Sequence, residues 1–113
     1  MQKIESIIRP EKLDAVRHAL ESSGYPGITI TEIEGHAMQT GTVQQWRGEK
    51  YKLDLLPKVK AEIVCLNQDA EKILQAIQEA AFTGGVGDGK IFVTEVEEVV
   101  RIRTRERGEK ALV

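Results

Sequence analysis

Glycines ahead of a lysine form the segment of this sequence that is best suited to chemistry. Four glycines fall within six residues, and the lysine follows them: Gly84, Gly85, Gly87, Gly89 and Lys90. Glycine has no Cβ, so successive backbone N–H groups can turn towards one ligand and surround an anion. The lysine adds a positive charge at the edge of that concavity. The alternative is a flexible turn between a helix and a strand, and the local sequence favours neither.

The same segment matches part of a known phosphate-binding motif. The spacing from Gly84 to Lys90 fits most of a P-loop. Ile91 stands where that motif needs a Ser or Thr to bind Mg²⁺, and the alternating β-branched residues after it predict a strand instead of a helix. We therefore predict a phosphate-binding loop that leads into a strand and lies outside the P-loop class.

Two arginines after that strand are further candidates for binding an anion. Arg101 and Arg103 are two residues apart, so on a strand they would share one face. Two guanidinium groups on one face, near Lys90, suit a polyphosphate because each can bind it through paired N–H donors. The competing interpretation, slightly favoured by the sequence alone, is that exposed arginines pair with Glu97, Glu98 or Glu106.

Catalytic and metal-binding groupings are not evident in the sequence. No Ser-His-Asp or Cys-His arrangement appears, and two histidines with the single Cys65 lack the spacing of a zinc site. A net charge of −2 argues against a nucleic-acid-binding protein. No long apolar run or signal-peptide pattern is present, so we expect a cytoplasmic location and no direct membrane insertion.

The surrounding pattern predicts one α+β domain over residues 1–113. Alternation predicts strands at 3–9, 28–34, 58–66 and 90–96, with a short further strand at 97–104. A helical period predicts helices at 10–23 and 70–81, the second capped by Asn67, Gln68 or Asp69. Two βαβ units with right-handed crossovers give a ferredoxin-like antiparallel sheet with both helices on one face. Ile and Val on the other face predict packing against further copies, hence a homo-oligomer.

A segment of about twenty residues, 35–55, shows no sustained period and is predicted to be a loop of unusual length. Near its tip lie Trp46, Arg47 and Tyr51, which are residue types that anchor protein interfaces. The alternative is that Trp46 folds back into a local core. Lys58 at the base of the loop could meet a small carboxylate, although such a lysine is more often a plain surface residue.

Several segments together resemble the PII signal-transduction proteins of the GlnB/GlnK type over residues 1–110. They are KIESIIRPEKLDAV, TITEIEG, Arg47-Gly48 followed by Tyr51, LPKVKAEIV, TGGVGDGKIFV and RIRT. The resemblance implies a homotrimer of ferredoxin-like subunits with ATP or ADP in the clefts between them. Three segments would form each site: a T-loop at about 37–55, a B-loop at about 82–90 and a C-terminal segment at about 98–113.

The resemblance also implies which residues bind each ligand. Lys58 would pair with a carboxylate of 2-oxoglutarate beside Gly87, and Gln39 would ligate Mg²⁺ when ATP and 2-oxoglutarate are bound. The implied nucleotide-binding residues are Ile7, Thr29, Gly35, Ala37, Met38, Glu62, Val64, Gly87, Asp88, Gly89, Lys90, Arg101 and Arg103.

The function implied by the resemblance is regulation, not catalysis. The T-loop would control a partner through Trp46, Arg47 and Tyr51, with an ammonium-transport channel expected first and nitrogen-assimilation enzymes next. Tyr51 occupies the position that enterobacterial members modify. The family usually has glycine and arginine where this chain has Ala37 and Met38. An alternative is therefore a diverged sensor of another nucleotide or anion, such as AMP or bicarbonate, that regulates a different transporter or enzyme.

Overall fold

A computed structural model gives the backbone of residues 1–25, 27–46 and 49–112, and their side chains except for residues 34–56. Two α-helices and four strands make up most of the fold. In chain order the elements are β1 (Gln2–Ile8), a 3-10 turn (Pro10–Lys12), α1 (Leu13–Glu21), β2 (Ile28–Trp46), β3 (Glu49–Cys65), α2 (Asn67–Ala81), β4 (Lys90–Glu95) and a second 3-10 turn (Gly108–Ala111).

The four strands form one antiparallel sheet in the order β2-β3-β1-β4. Alternate β1 side chains, Ile4, Ser6 and Ile8, are buried, because strand side chains point to opposite faces and one face meets the helices. This arrangement confirms the predicted ferredoxin-like fold.

The core lies between the helices and that face of the sheet. Both helices and the two central strands contribute fully buried aliphatic side chains: Ile4, Ile8, Val16, Leu20, Ile63 and Ile77. Each such side chain stabilises the fold by about 1.5–3 kcal/mol relative to an exposed one. Cys65 is buried in β3 as the sequence predicts, and burial raises the pKa of its thiol.

The start of α2 differs from the sequence prediction. The helix is capped by the extended backbone of Leu66, with no side-chain cap bond from Asn67, Gln68 or Asp69. Instead, the Tyr25 hydroxyl donates to the Asp69 carboxylate and accepts the Leu66 N–H at 3.1 Å. The Asp69 carboxylate, which was predicted to cap α2, therefore links α2 to Tyr25 in the segment that follows α1.

Strands β2 and β3 continue well beyond their predicted ends. Their backbones pair from Ile28↔Ile63 to Trp46↔Glu49, with one register shift between Thr40 and Gln44. The predicted loop is therefore mostly a two-stranded extension, called here the arm (residues 34–56). The pairing of β1 with β3 ends at Ile8↔Val59, so in the arm β2 and β3 pair with each other beyond the end of β1. This stretch lacks the apolar alternation that predicts a strand, and the pattern therefore predicted a loop.

The predicted strand at 97–104 is wrong. This part of the chain makes one isolated bridge, Val100↔Arg107, and a turn follows at 102–104. Hydrogen bonds close the segment on itself: Arg101 N donates to Glu106 O at 2.9 Å, and Arg105 N donates to Arg101 O at 2.8 Å. Arg101 and Arg103 consequently do not share the face of a strand.

Charged residues occupy the centre of the uncovered sheet face. Lys60 lies 3.2 Å from Glu62 and 3.8 Å from Glu5, and Lys3 lies 3.8 Å from Glu62. Phe92 in the register row of Glu5 is exposed. The face is thus partly apolar as predicted, but an ion cluster interrupts it. Among the described residues, no helix has the length and apolarity to cross a membrane.

Candidate anion-binding site

The glycine segment follows α2 and is organised by one carboxylate. Asp88 accepts hydrogen bonds from the backbone N–H groups of Thr83 and Gly84, both at 2.9 Å, and from the Thr83 hydroxyl. These bonds, led by the Thr83 hydroxyl, hold the pKa of the Asp88 carboxyl well below its usual range. Asp88 therefore shapes the loop, while direct contact with a phosphate stays a prediction.

Arg9 lies beneath the same loop and was not identified from the sequence. Its Nε donates to Asp88 at 3.0 Å and its Nη2 donates to the Val86 carbonyl at 2.9 Å. A Cβ added at Gly85 or Gly87 would lie 3.2 or 3.4 Å from this guanidinium, so the loop is closely seated on it. The contact follows from the antiparallel pairing of β1 with β4, which places the end of β1, just before Arg9, beside the start of β4, just after the loop.

Gly89 must be glycine at its position. Its φ is +96°, and an added Cβ would lie 1.7 Å from the carbonyl oxygen of Ile7. A side chain at Gly89 would therefore displace the backbone of β1 or the loop. Gly87, with φ of +105°, also adopts the left-handed conformation that glycine favours. The predicted glycine-specific backbone of the loop is confirmed.

Two lysines flank the loop. Lys58, half-buried on β3, donates from its ammonium group to the Gly87 carbonyl. Lys90 begins β4, pairs in register with Ile7, and is exposed. A lysine ammonium has three N–H donors, so binding one carbonyl does not exhaust Lys58. The loop thus has one carboxylate, Asp88, among three cationic side chains, a charge balance that favours an anion.

Other predicted ligand residues line separate clefts. Ile7, Asp88, Gly89 and Lys90 line a cleft of about 350 Å³ beside the end of α2. Lys58 lines another of about 500 Å³. A third, of about 210 Å³, is lined by predicted nucleotide-binding residues and by the C-terminal turn: Thr29, Glu62, Val64, Ala111 and Leu112. Among the described side chains, no cluster of three or more His, Cys, Asp or Glu could hold a metal.

Comparison with known proteins identifies the family. The family model for the nitrogen regulatory protein P-II matches residues 1–106. The chain belongs to the PII family. A nitrogen regulatory protein P-II of Azospirillum brasilense is 54% identical over 112 residues, covering 99% of this chain and 100% of that protein. One of Rhizobium meliloti is 53% identical with the same coverage. The P-II 2 protein of Methanothermobacter thermautotrophicus is 50% identical, covering 99% and 97%.

Membership of the PII family settles the class of function. These relatives are named as nitrogen regulatory proteins, so the chain is a regulatory signalling protein rather than an enzyme. Its role lies in nitrogen signalling, exerted through target proteins.

Two of the predicted phosphate-binding cations, Lys90 and Arg101, are positioned by different elements of this PII chain. Lys90 lies in the register row of Ile7 and Lys60, whereas Arg101 bonds the carbonyl of Ala111, in the turn that lines the cleft at Val64. Four residues of β3 separate those rows, roughly 13 Å. Within one chain Lys90 therefore lines the cleft at the glycine loop, whereas Arg101 bonds the turn that lines the other cleft, and their shared binding of a phosphate stays a prediction.

The remaining predicted residues of this PII protein lie in the arm. The backbones of Gly35, Ala37, Met38 and Gln39 pair with Leu56, Asp54, Leu53 and Lys52, and Tyr51 pairs with Thr40. Arg47 lies outside the described residues, as do the side chains of Trp46 and Tyr51. Their predicted roles in ligand and partner binding stay predictions.

Proposed function

We propose that this chain is a nitrogen- and energy-status sensor that binds ATP or ADP between subunits of a homotrimer. The observation that carries the proposal is the glycine loop held by Asp88 and Arg9, with Lys58 and Lys90 beside it. A loop fixed in advance loses little conformational freedom when it binds a ligand. The N–H groups of Thr83, Gly84 and Gly85 bond within the loop, so the N–H groups that follow them, with the adjacent cations, would recognise the phosphate.

The separation of the predicted residues supports a site shared between copies. One part of the nucleotide site would be the loop with Ile7 and Lys90, and the other would be Thr29, Glu62 and Val64 with the C-terminal arginines. A cyclic trimer would place one part of each subunit against the complementary part of its neighbour. Each nucleotide would then be bound by residues of two chains.

The same site would sense 2-oxoglutarate through Lys58. Its ammonium lies against Gly87, so a carboxylate could approach it at the edge of the phosphate loop. We assign Mg²⁺ to Gln39 together with the nucleotide and the oxoacid. Because Mg²⁺ would be held by the triphosphate, 2-oxoglutarate affinity would depend on ATP, and ADP would not support it. This dependence couples two metabolic signals at one site.

The arm would transmit the bound state to a target. The described strands pair as far as Trp46 and Glu49, and in the sequence Arg47 and Gly48 connect them. An ammonium-transport channel is the target we propose first, because an arginine in this connection would suit a pore, and nitrogen-assimilation enzymes come next. Ligands would act by binding one arm conformation more tightly than another.

Ala37 and Met38 favour a second candidate function. They replace a glycine and an arginine usual in the family, and both lie on β2 just before Gln39. Loss of a cation there would weaken selection for a triphosphate. The alternative is a sensor of AMP or bicarbonate that regulates a different transporter or enzyme.

Isothermal titration calorimetry separates these candidates. ATP, ADP, AMP and bicarbonate would each be titrated with and without Mg²⁺ and 2-oxoglutarate. We expect 2-oxoglutarate to bind only with Mg-ATP, and Lys90→Ala to lower ATP affinity by more than about tenfold because a charge-assisted contact is lost. Lys72→Ala, an exposed lysine on α2, is the matched control. Binding of AMP or bicarbonate without any 2-oxoglutarate response would contradict the proposal and support the alternative.

A further inference from the structure

Arg101 is held by its own C-terminal segment. Its Nη1 lies 3.0 Å from the Glu106 carboxylate, and its Nη2 donates to the carbonyls of Lys110 and Ala111, both at 3.4 Å. These two nitrogens form one of the guanidinium edges that can bind a phosphate through paired bonds. A phosphate approaching that edge therefore meets a site already occupied by a carboxylate.

The backbone keeps Glu106 opposite Arg101. Arg101 N donates to Glu106 O at 2.9 Å, and Gly108 N donates to Val99 O at 2.9 Å. Arg105, between them, has φ of +65°, a left-handed conformation that a non-glycine residue adopts at some cost. The contact is thus built into the segment and does not depend only on two flexible side chains meeting.

We infer that Glu106 sets nucleotide affinity by competing with the phosphate for Arg101. This inference rests on the proposed function, in which Arg101 serves the site of a neighbouring subunit. Carboxylate and phosphate are both anions that accept bonds from the same guanidinium edge, so they exclude one another there. Nucleotide binding exchanges one partner for the other and frees Glu106. The cost of that exchange lowers the affinity for ATP.

The size of the effect follows from exposure. The side chains of Arg101 and Glu106 are 30% and 41% exposed, so solvent weakens their attraction. A partly exposed ion pair of this kind changes an equilibrium by about two- to fivefold. Its influence is therefore a tuning of affinity, smaller than the loss expected on removing a phosphate-binding cation.

The test is ATP titration of the full-length Glu106→Gln variant. Glutamine keeps the size and removes the charge, so we expect the ATP dissociation constant to fall about two- to fivefold. The matched control is Glu109→Gln, which removes an exposed glutamate three residues after Glu106. This variant should bind ATP as the unmodified chain does. In an Arg101→Lys background the Glu106 substitution should lose most of its effect, because the paired donor edge is absent.

The outcomes separate this inference from the proposed function. If the unmodified chain binds ATP and Glu106→Gln binds it equally or more weakly, the competition is refuted; weaker binding would show that Glu106 positions Arg101 for the phosphate. If neither the unmodified chain nor Glu109→Gln binds ATP, the proposed function itself fails and this inference fails with it. A gain of affinity shared equally by Glu109→Gln would reduce the effect to general electrostatics and also refute it.

Discussion

Asp88 shows how a single side chain can fix the conformation of a glycine loop. Both of its oxygens accept bonds from the loop or from Arg9. A carboxylate that faced a phosphate would repel it. The Asp88 carboxylate is turned into the loop, where it binds the N–H groups of Thr83 and Gly84, while Lys58 and Lys90 flank the loop. The resemblance places Asp88 among the phosphate-binding residues. In the structure Asp88 holds the conformation of the loop that contains the other predicted residues Gly87 and Gly89.

Acid should release this loop. The pKa of Asp88 is lowered in the folded chain, so its contribution to stability is present above the unfolded value of about 4 and is lost as pH falls below it. We expect the amide resonances of Thr83 and Gly84 to move together in an NMR titration below about pH 4.

In Asp88→Asn the same resonances should already be displaced at neutral pH and should not titrate. Asp14→Asn, an exposed residue of α1, serves as the control and should titrate as the unmodified chain does. A transition of the loop resonances well above pH 4 in the unmodified chain would contradict the depressed pKa of Asp88.

The contact of Arg9 with the glycine loop could not be predicted from local sequence patterns. Val86 and Asp88, the loop residues that bond Arg9, lie 77 and 79 positions from it in the sequence, and the pairing of β1 with β4 brings them together. The glycines could be recognised because their conformational need is local. The interaction partner of the loop could not, because it is set by tertiary structure.

Elements were predictable where a core enforces a pattern. β1 alternates because Ile4 and Ile8 face the helices, and α2 keeps a helical period because Ile73 and Ile77 face the core. The sequence of the arm shows no such alternation, so its strands were predicted as loop. For residues 97–104 the error was the reverse: a strand was predicted where none forms. The segment VVRIR alternates like a strand, but its backbone bonds to residues 105–108.

Tyr25 is the element-scale contact most open to measurement. Tyr25→Phe removes the hydroxyl that accepts the Leu66 N–H and donates to Asp69, which leaves a partly buried donor unpaired. We expect a loss of about 1–2 kcal/mol in the free energy of unfolding, measured by urea denaturation. Equal stability of Tyr25→Phe and the unmodified chain would refute this role.

The pH dependence of this contact has a definite sign. Burial, followed by the bond to Asp69, raises the pKa of Tyr25. Its contribution to stability is therefore complete below the unfolded value of about 10 and is lost as pH rises through the folded value. The stability difference between the unmodified chain and Tyr25→Phe should accordingly shrink above pH 10.

At the scale of the whole molecule, the candidate site is divided. The glycine loop with Lys90 is complete in one chain, and the cleft at Thr29 and Val64 is complete in the same chain, but they lie apart. The sequence could predict both sets of residues because the family motifs are local. It could not show that one copy leaves them separated, since that follows from the order of the strands.

Subunit mixing tests this division most directly. Lys90→Ala and Arg103→Ala chains should each bind ATP more than about tenfold more weakly than the unmodified chain. When the two variants are unfolded together and refolded at equal amounts, about a quarter of the intersubunit sites should pair an intact Lys90 with an intact Arg103 and bind ATP normally. Each variant refolded alone should show no such recovery. A mixture that binds ATP no better than the separate variants would contradict a site built from two copies.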